Sequence, residues 1–512
     1  MQYVNSSFIL TFLISIWDEI TLIFKNSRGY QFCRYLADVF KSSFIYRFFA
    51  ADSRVAAAFQ HSLVKRWAEF ALNAIPNALS TLAGRIGGVE HSRLLRLFSW
   101  LSRFIPQLIG LGILLIFIIP QGRWNNYYSL LLALGALMLY YLGGIKDRGR
   151  RLTLEDIGAY PSLFFALLTL SFFWSLTGAL SLRFLAFALT CAIITLVFVN
   201  SAQKENALLI VLGCVALGLL ICSLYGLYQS YVGVMENASY TDLSINAGMP
   251  GRIFSFFGNP NIFANLLVMF APLMLSLVFY APRLSLKLIF LAAFGAASLA
   301  LLLTFSRGGW LAFVFALFVL VLLLSPRWAP LLVMAGLAAL PFLPATILNR
   351  LLTIFNFADS SASARMYIYN AALSLIGGNP VFGVGLGAAP VQYYVKSNGI
   401  FHGKFTFVHT HNLFLQIWAE AGVLAMVLYV LMLFYVFRAG LRALKGNISP
   451  LLKGALAGCM ASLAGSAFFG LTDYPWAHPR VMVLYWFLFA LTLTAVKLAK
   501  SADKYQPQKG IE

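Results

Sequence analysis

The sequence predicts an all-α polytopic membrane protein with about twelve spanning helices and a large outer loop that carries short helices of its own. Three observations lead there. Of 512 residues, 61% are hydrophobic and only 11% charged, a composition far too apolar for a soluble globular protein. The apolar residues fall in runs close to the roughly 20 that cross a bilayer as a helix. The basic residues lie between those runs, dense in every second connection and sparse in the others, as membrane topology requires.

The net charge of +20 would suggest nucleic acid in a soluble chain. Its placement between apolar runs accounts for it here, and no nucleic-acid partner is expected. Cys33, Cys191, Cys214, Cys222 and Cys459 show no paired metal spacing, and four of them lie inside apolar runs, so neither a disulfide framework nor a zinc site is implied.

Residues 1–103 mix apolar side chains with scattered basic ones, among them Lys25, Arg28, Arg34, Lys65, Arg66, Arg85, Arg93, Arg96 and Arg103. This is the pattern of amphipathic helices lying on an anionic leaflet. The run Phe8–Ile16 has no basic region before it and Asp18 and Glu19 after it, so it reads as interfacial rather than as a signal peptide or a span. A transmembrane domain follows over 104–500, with spans near 104–120, 125–144, 159–178, 181–200, 206–230, 262–281, 286–305, 308–325, 329–347, 411–437, 452–471 and 481–498. Residues 501–512 are expected to form a cytoplasmic tail. With the N-terminus cytoplasmic, 28 of the 37 basic residues face the cytoplasm and nine face outward, which predicts both termini inside.

Two outer connections, about 231–261 and 348–410, exceed ordinary loop length, and long loops in a compact fold usually carry function. In the second, Ser363–Leu373 has helical apolar spacing, and the glycines of Gly377–Gly387 suit tight turns. That run lacks the strand–turn–helix context and the lysine of a nucleotide site.

With few basic residues outside, those at helix ends and in the long loops become candidates for holding an anion: Arg252, Arg307 and Arg365. Arg307 sits in a break of about three residues between two spans, where a guanidinium fork matches phosphate oxygens. Arg252 precedes a helix start at Pro260, which Asn259 or Asn261 can cap while leaving backbone N–H groups nearby. His411 and Asn412 stand where the polar loop runs into an apolar helix. The partial positive charge of a helix start favours a neutral imidazole at His411, able to accept a proton. His409 is a neighbour that supports it or exchanges roles with it. Glu420, two and a half turns on, is expected to pair with a basic group or to satisfy another helix, and Asp473 to partner an outer arginine. No Asp-x-Asp or His-x-x-x-His pattern appears, so the expected chemistry needs neither metal nor cofactor.

These stretches resemble the bacterial O-antigen ligase family, which also holds O-antigen polymerases and protein O-oligosaccharyltransferases. The resemblance rests on Arg252–Phe263, the Ser306-Arg307-Gly308 turn, Arg365 with Asn379–Gly387, and His411-Asn412 with Gly422 ten residues beyond Asn412, with a mild departure at Ala425. It covers roughly residues 200–480. It implies a GT-C-like membrane glycosyltransferase on the outer face of the bacterial cytoplasmic membrane. Such an enzyme moves a glycan from an undecaprenyl-diphosphate donor to an acceptor hydroxyl, without metal and with inversion. Arg252, Arg307 and Arg365 would bind the diphosphate and His411 would activate the hydroxyl. A polymerase or protein transferase shares the donor, and a solute transporter of the bicarbonate type is the reading from another class.

Overall fold

The computed structural model describes residues 15, 19, 22–23, 25–42, 54–85, 92–146, 150–235, 251–352, 360–401 and 406–504. All but one residue of Phe8–Ile16, the middle of the 231–261 loop and most of the 501–512 tail lie outside them. Among the described residues there are helices and no strands.

Helices α1 (Arg28–Ser42), α2 (Arg54–His61) and α3 (Leu63–Arg85) precede the bundle. The first span starts with α4 (Arg93–Leu101), whose Ser92 cap accepts the N–H of Leu95, and passes a tight turn into α5 (Ile105–Ile118). It therefore begins about three turns before the boundary expected at residue 103. α6 (Tyr127–Lys146) returns across the bundle.

The span expected over 159–178 is instead a short apolar helix, α7 (Ala159–Leu170), ending in a 3-10 turn at Trp174. The polar stretch after it turns on itself, with Ser175 and Ser181 hydroxyls 2.6 Å apart. Spans α8 (Gly178–Ser201), α9 (Glu205–Val232), α10 (Pro260–Tyr280), α11 (Leu284–Leu303) and α12 (Arg307–Leu324) follow. The span expected over 329–347 is a bent pair. α13 (Ala329–Ala339) and its 3-10 extension meet α14 (Ala345–Leu352) at 118°, because Pro341 and Pro344 remove donors and hold Leu343 extended. The long loop after α14 contributes α15 (Ser360–Gly378) and α16 (Ala388–Ser397), and the chain closes with α17 (Leu413–Lys445), α18 (Pro450–Phe469) and α19 (Pro479–Lys504). The described residues thus hold ten helices long and apolar enough to cross a membrane, eleven if the bent pair counts as one, rather than twelve.

α10, α18 and α19 form the buried centre. Lipid tails are as apolar as Leu, so close backbone approach has to hold such helices together, and α18 is rich in small residues for that purpose. A Cβ on Gly458 would lie 2.8 Å from Leu273 Cα, and one on Gly465 would lie 2.8 Å from Ala316 Cβ.

α17 is broken at Gly422, whose φ of 82° is left-handed. The break frees backbone groups that the Gly-rich loop then pairs: Val384 and Gly385 donate to the carbonyls of Ala419 and Glu420, and Val423 donates to Pro380. The glycines of 377–387 therefore allow a strand-like splice against a membrane helix, beyond simple turning. A Cβ on Gly383 would lie 2.5 Å from the Ala419 carbonyl oxygen.

Gly422→Ala is expected to lower the unfolding free energy by at least about 2 kcal/mol, since its Cβ would meet Val381 O at 1.8 Å in a left-handed conformation. Gly295→Ala, on a helical face with nothing within 4 Å, is expected to be neutral or slightly stabilising. Thermal unfolding of both variants in detergent checks the contrast.

Candidate active site

Six chain segments converge at one end of the bundle. Arg252 follows Gly251, whose φ is 93°, and runs antiparallel to the end of α11, with Ile253 N–H donating to Leu303 O. Its guanidinium is buried, donating from Nε to Thr304 O at 2.7 Å and from Nη2 to Asn261 Oδ1 at 2.6 Å. Asn259 caps α10 by accepting the N–H groups of Asn261 and Ile262, which leaves the Asn261 side chain for Arg252. Ser306 caps α12 through the N–H of Gly309, so Arg307 stands on the first residue of that helix.

Arg307, Arg252, Asn261, Ser306 and Gly308 line a polar cleft, and Arg365 of α15 and Thr472 and Asp473 of the α18–α19 loop line it too. A fourth guanidinium completes it. Arg350 of α14 is buried and donates to Phe305 O at 3.4 Å. Burial, followed by the charges of Arg350, Arg307 and Arg365, draws Arg252 down to about 9 against the opposing pull of Asp473, so it is still cationic at neutral pH.

Beside the arginines, Asp473 Oδ1 faces His411 Nδ1 at 3.2 Å and also accepts the N–H of Tyr474. A carboxylate at Nδ1 favours the tautomer with its proton there, leaving the His411 Nε2 lone pair available. His409 Nδ1 in turn accepts the His411 backbone N–H at 3.2 Å, which puts the proton of neutral His409 on Nε2. The ring lone pair of neutral His409 is thus committed to the backbone, whereas that of His411 is left on Nε2. Asp473 is its orienting partner, rather than an arginine counterion alone.

The loop bearing His411 is tied down on every side. Asn412 caps α17 by accepting the N–H groups of Phe414 and Leu415 and donates to Leu471 O, while Leu413 N–H reaches Gly470 O at 2.7 Å. Tyr369 of α15 donates to His411 O at 3.3 Å. Thr410 N–H reaches Gln416 Oε1, and Gln416 and Tyr474 both donate to the buried Glu420 carboxylate at 2.8 and 3.1 Å. Glu420 thus joins α17 to the Asp473 loop through uncharged partners, not through a basic group. Among the described residues, the non-glycines with left-handed φ are Ser255, Phe305 and His411, all at this end of the molecule. Such strain persists only where the surroundings over-determine it, and it gathers at functional sites.

His409, His411 and Asp473 each present a ligand atom within 4.8 Å of the others, a spacing a cation could bridge. The four guanidiniums along the adjoining cleft favour an anion instead. Not every arginine at this end of the bundle belongs to the site. Arg480 is buried between Trp124 and Phe257 and donates to the carbonyls of Ile116 and Phe256, closing the end of α5. The sequence reading does not single out Arg350, although it lies in the long loop expected over 348–410. The signal that would have found it is the pair Pro341 and Pro344, which makes 345–352 a separate helix.

Fold and cleft together define a polytopic helical membrane protein with an arginine-lined anion site and a histidine–carboxylate pair at one end of its spans. Residues 290–430 match the family described as O-Antigen ligase, in agreement with the resemblance carried by the motifs. The match runs from α11 into α17 and includes Arg307, Arg350, Arg365, His409 and His411, while Arg252 and Asp473 lie outside it. No curated protein matches the chain.

Burial and the charge of His411 push His409 down to about 3. Burial alone would raise the Asp473 carboxyl, but the His411 hydrogen bond and the charges of His411, His409 and Arg365 hold it well below the usual range. An unfolded imidazole takes up its proton near pH 6.5, so the contribution of neutral His409 is full above that pH and is lost as pH falls toward about 3. Asp473 acts with the same sign at lower pH. The thermal midpoint is expected to fall between pH 7.5 and 5, and His409→Asn, which keeps an acceptor for the His411 N–H, is expected to flatten that fall by half or more. Melting curves across pH check it.

Proposed function

We propose that the protein transfers a glycan from an undecaprenyl-diphosphate donor to an acceptor hydroxyl, on a GT-C-like scaffold in the bacterial cytoplasmic membrane. The observation that carries this reading is the cleft that Arg252, Arg307, Arg350 and Arg365 line together with Asp473, whose carboxylate also meets His411. A polyanion and a proton acceptor are thereby called for side by side. The match of residues 290–430 to the O-Antigen ligase family agrees with that chemistry.

In the proposed reaction, His411 Nε2 takes the proton of the acceptor hydroxyl, and the oxygen attacks the anomeric carbon from the face opposite the diphosphate. As the new glycosidic bond forms, the bond from the sugar to the diphosphate oxygen breaks. The pair of electrons leaves with the diphosphate, whose growing charge the guanidiniums offset without a metal. Asp473 steadies the imidazolium formed at His411, as in other histidine–carboxylate pairs. His409, Asn412, Asn259, Asn261 and Glu420 hold these groups in place. The distribution of basic residues supports an outward-facing site with both termini in the cytoplasm. Polymerases and protein transferases are the nearest alternatives, since they differ in the acceptor alone.

Purified protein mixed with undecaprenyl-diphosphate glycan and a lipid, sugar or peptide acceptor in chelator is expected to form product. His411→Ala is expected to slow turnover about 10²–10⁴-fold, and Arg307→Ala or Arg350→Ala about 10²-fold or more. One added glycan per acceptor indicates ligation and a ladder indicates polymerisation. Solute flux in proteoliposomes that survives these substitutions, with no transfer to any acceptor, would favour the transporter instead.

A further inference from the structure

Helix α3 is amphipathic in the reverse sense to a helix on a water-soluble protein. Its protein-facing stripe joins polar Glu69 and Asn73 to Pro76 and to Leu72, which packs against the core. Glu69 Oε1 accepts the N–H of Leu154 at 2.8 Å, Asn73 pairs with both the N–H and the C=O of Leu152, and Leu72 O accepts the Tyr141 hydroxyl at 2.6 Å. Pro76 and Asn73 are its buried residues. Its outward face carries Leu63, Val64, Trp67, Phe70, Ile75 and Leu82, with Trp67 69% and Phe70 63% exposed. α4 continues the theme with outward Leu94, Leu97 and Trp100.

A helix that turns its polar groups to the protein and its aromatic groups outward needs an apolar environment outside. The polar anchoring also tells which end of the molecule this is. Residues 152–154 connect α6 to α7 at the end opposite the arginine cleft, where Lys497 faces Asp156 and α17 ends in Arg438, Arg442 and Lys445. Arg66 and Arg85 on α3 and Arg93 and Arg96 on α4 are exposed beside the apolar face. Apolar side chains flanked by arginines at the end of a membrane bundle fit the boundary between acyl chains and acidic headgroups.

We propose that α3 and α4 form an interfacial anchor that seats the basic end of the bundle in an anionic phospholipid leaflet. The outward face of α3 lies among acyl chains and its arginines lie on phosphate-bearing headgroups. The polar stripe clamps the α6–α7 connection, so the anchor is built into the fold rather than tethered to it. This inference is independent of the chemistry at the other end.

The test uses the full chain in phosphatidylcholine nanodiscs containing equal small amounts of a diazirine-bearing phosphatidylglycerol or phosphatidylcholine, with photo-adducts mapped by peptide mass spectrometry. Residues 63–82 are expected to be labelled, at least about threefold more by the phosphatidylglycerol probe, while lipid-facing peptides of 284–303 label equally with both. Arg66→Glu/Arg85→Glu is expected to bring the ratio at 63–82 to parity without changing the thermal midpoint. Absence of adducts on 63–82 when 284–303 is labelled would overturn the anchor. A wild-type ratio no different from that of 284–303 would overturn its preference for anionic lipid.

Discussion

Four guanidiniums brought to one cleft, two of them buried, are the constraint around which this end of the molecule is organised. Like charges near a low-dielectric bundle repel by several kcal/mol, roughly 3 kcal/mol per pair at 6 Å for an effective dielectric near 20. Among the described residues, the Asn261 amide, the Thr304 and Phe305 carbonyls and the Asp473 carboxylate oppose it. Such a gathering of guanidiniums suits a multivalent anion. The same arrangement explains the neighbouring chemistry, because the carboxylate that tempers the arginines also orients His411.

Holding those groups together depends on how the helix ends are joined. The caps at Asn259, Ser306 and Asn412 start three helices at the same level, and each is followed or preceded by a residue that meets the cleft. The break at Gly422 then lets the Pro380–Gly387 segment grip α17, and Glu420 beside that break reaches Tyr474 in the loop that carries Asp473. Backbone strain at Phe305 and His411 is the local cost of placing both segments at the cleft.

Much of this is legible in the sequence, and the parts that are not have identifiable causes. Hydropathy finds the spans because crossing a bilayer takes a minimum apolar length, but it counts apolar residues and overlooks what breaks them. It therefore extends the short helix ending at Trp174 and straightens the pair bent at Pro341 and Pro344. Arg252, Arg307, Arg365 and His411 stand out because a polar or basic residue at the end of an apolar run or in an unusually long loop needs a reason to be there. Arg350 lies in the same long loop and gains its place only once the bend at Pro341 and Pro344 makes 345–352 a helix of its own. The pairing of Asp473 with His411, 62 residues apart, depends on which helix ends touch, and neither periodicity nor composition carries that information. Glu420 illustrates the same limit, since its partners Gln416 and Tyr474 include one from another helix end.

The most direct test of the account is retention of three lipids that differ only in headgroup, undecaprenyl diphosphate, undecaprenyl phosphate and undecaprenol, by the protein in native mass spectrometry. The account expects the diphosphate to be held most tightly and the alcohol least, with Arg252→Ala/Arg350→Ala erasing the difference. Equal retention of all three by the wild-type protein would contradict the claim that this cleft exists to hold a diphosphate.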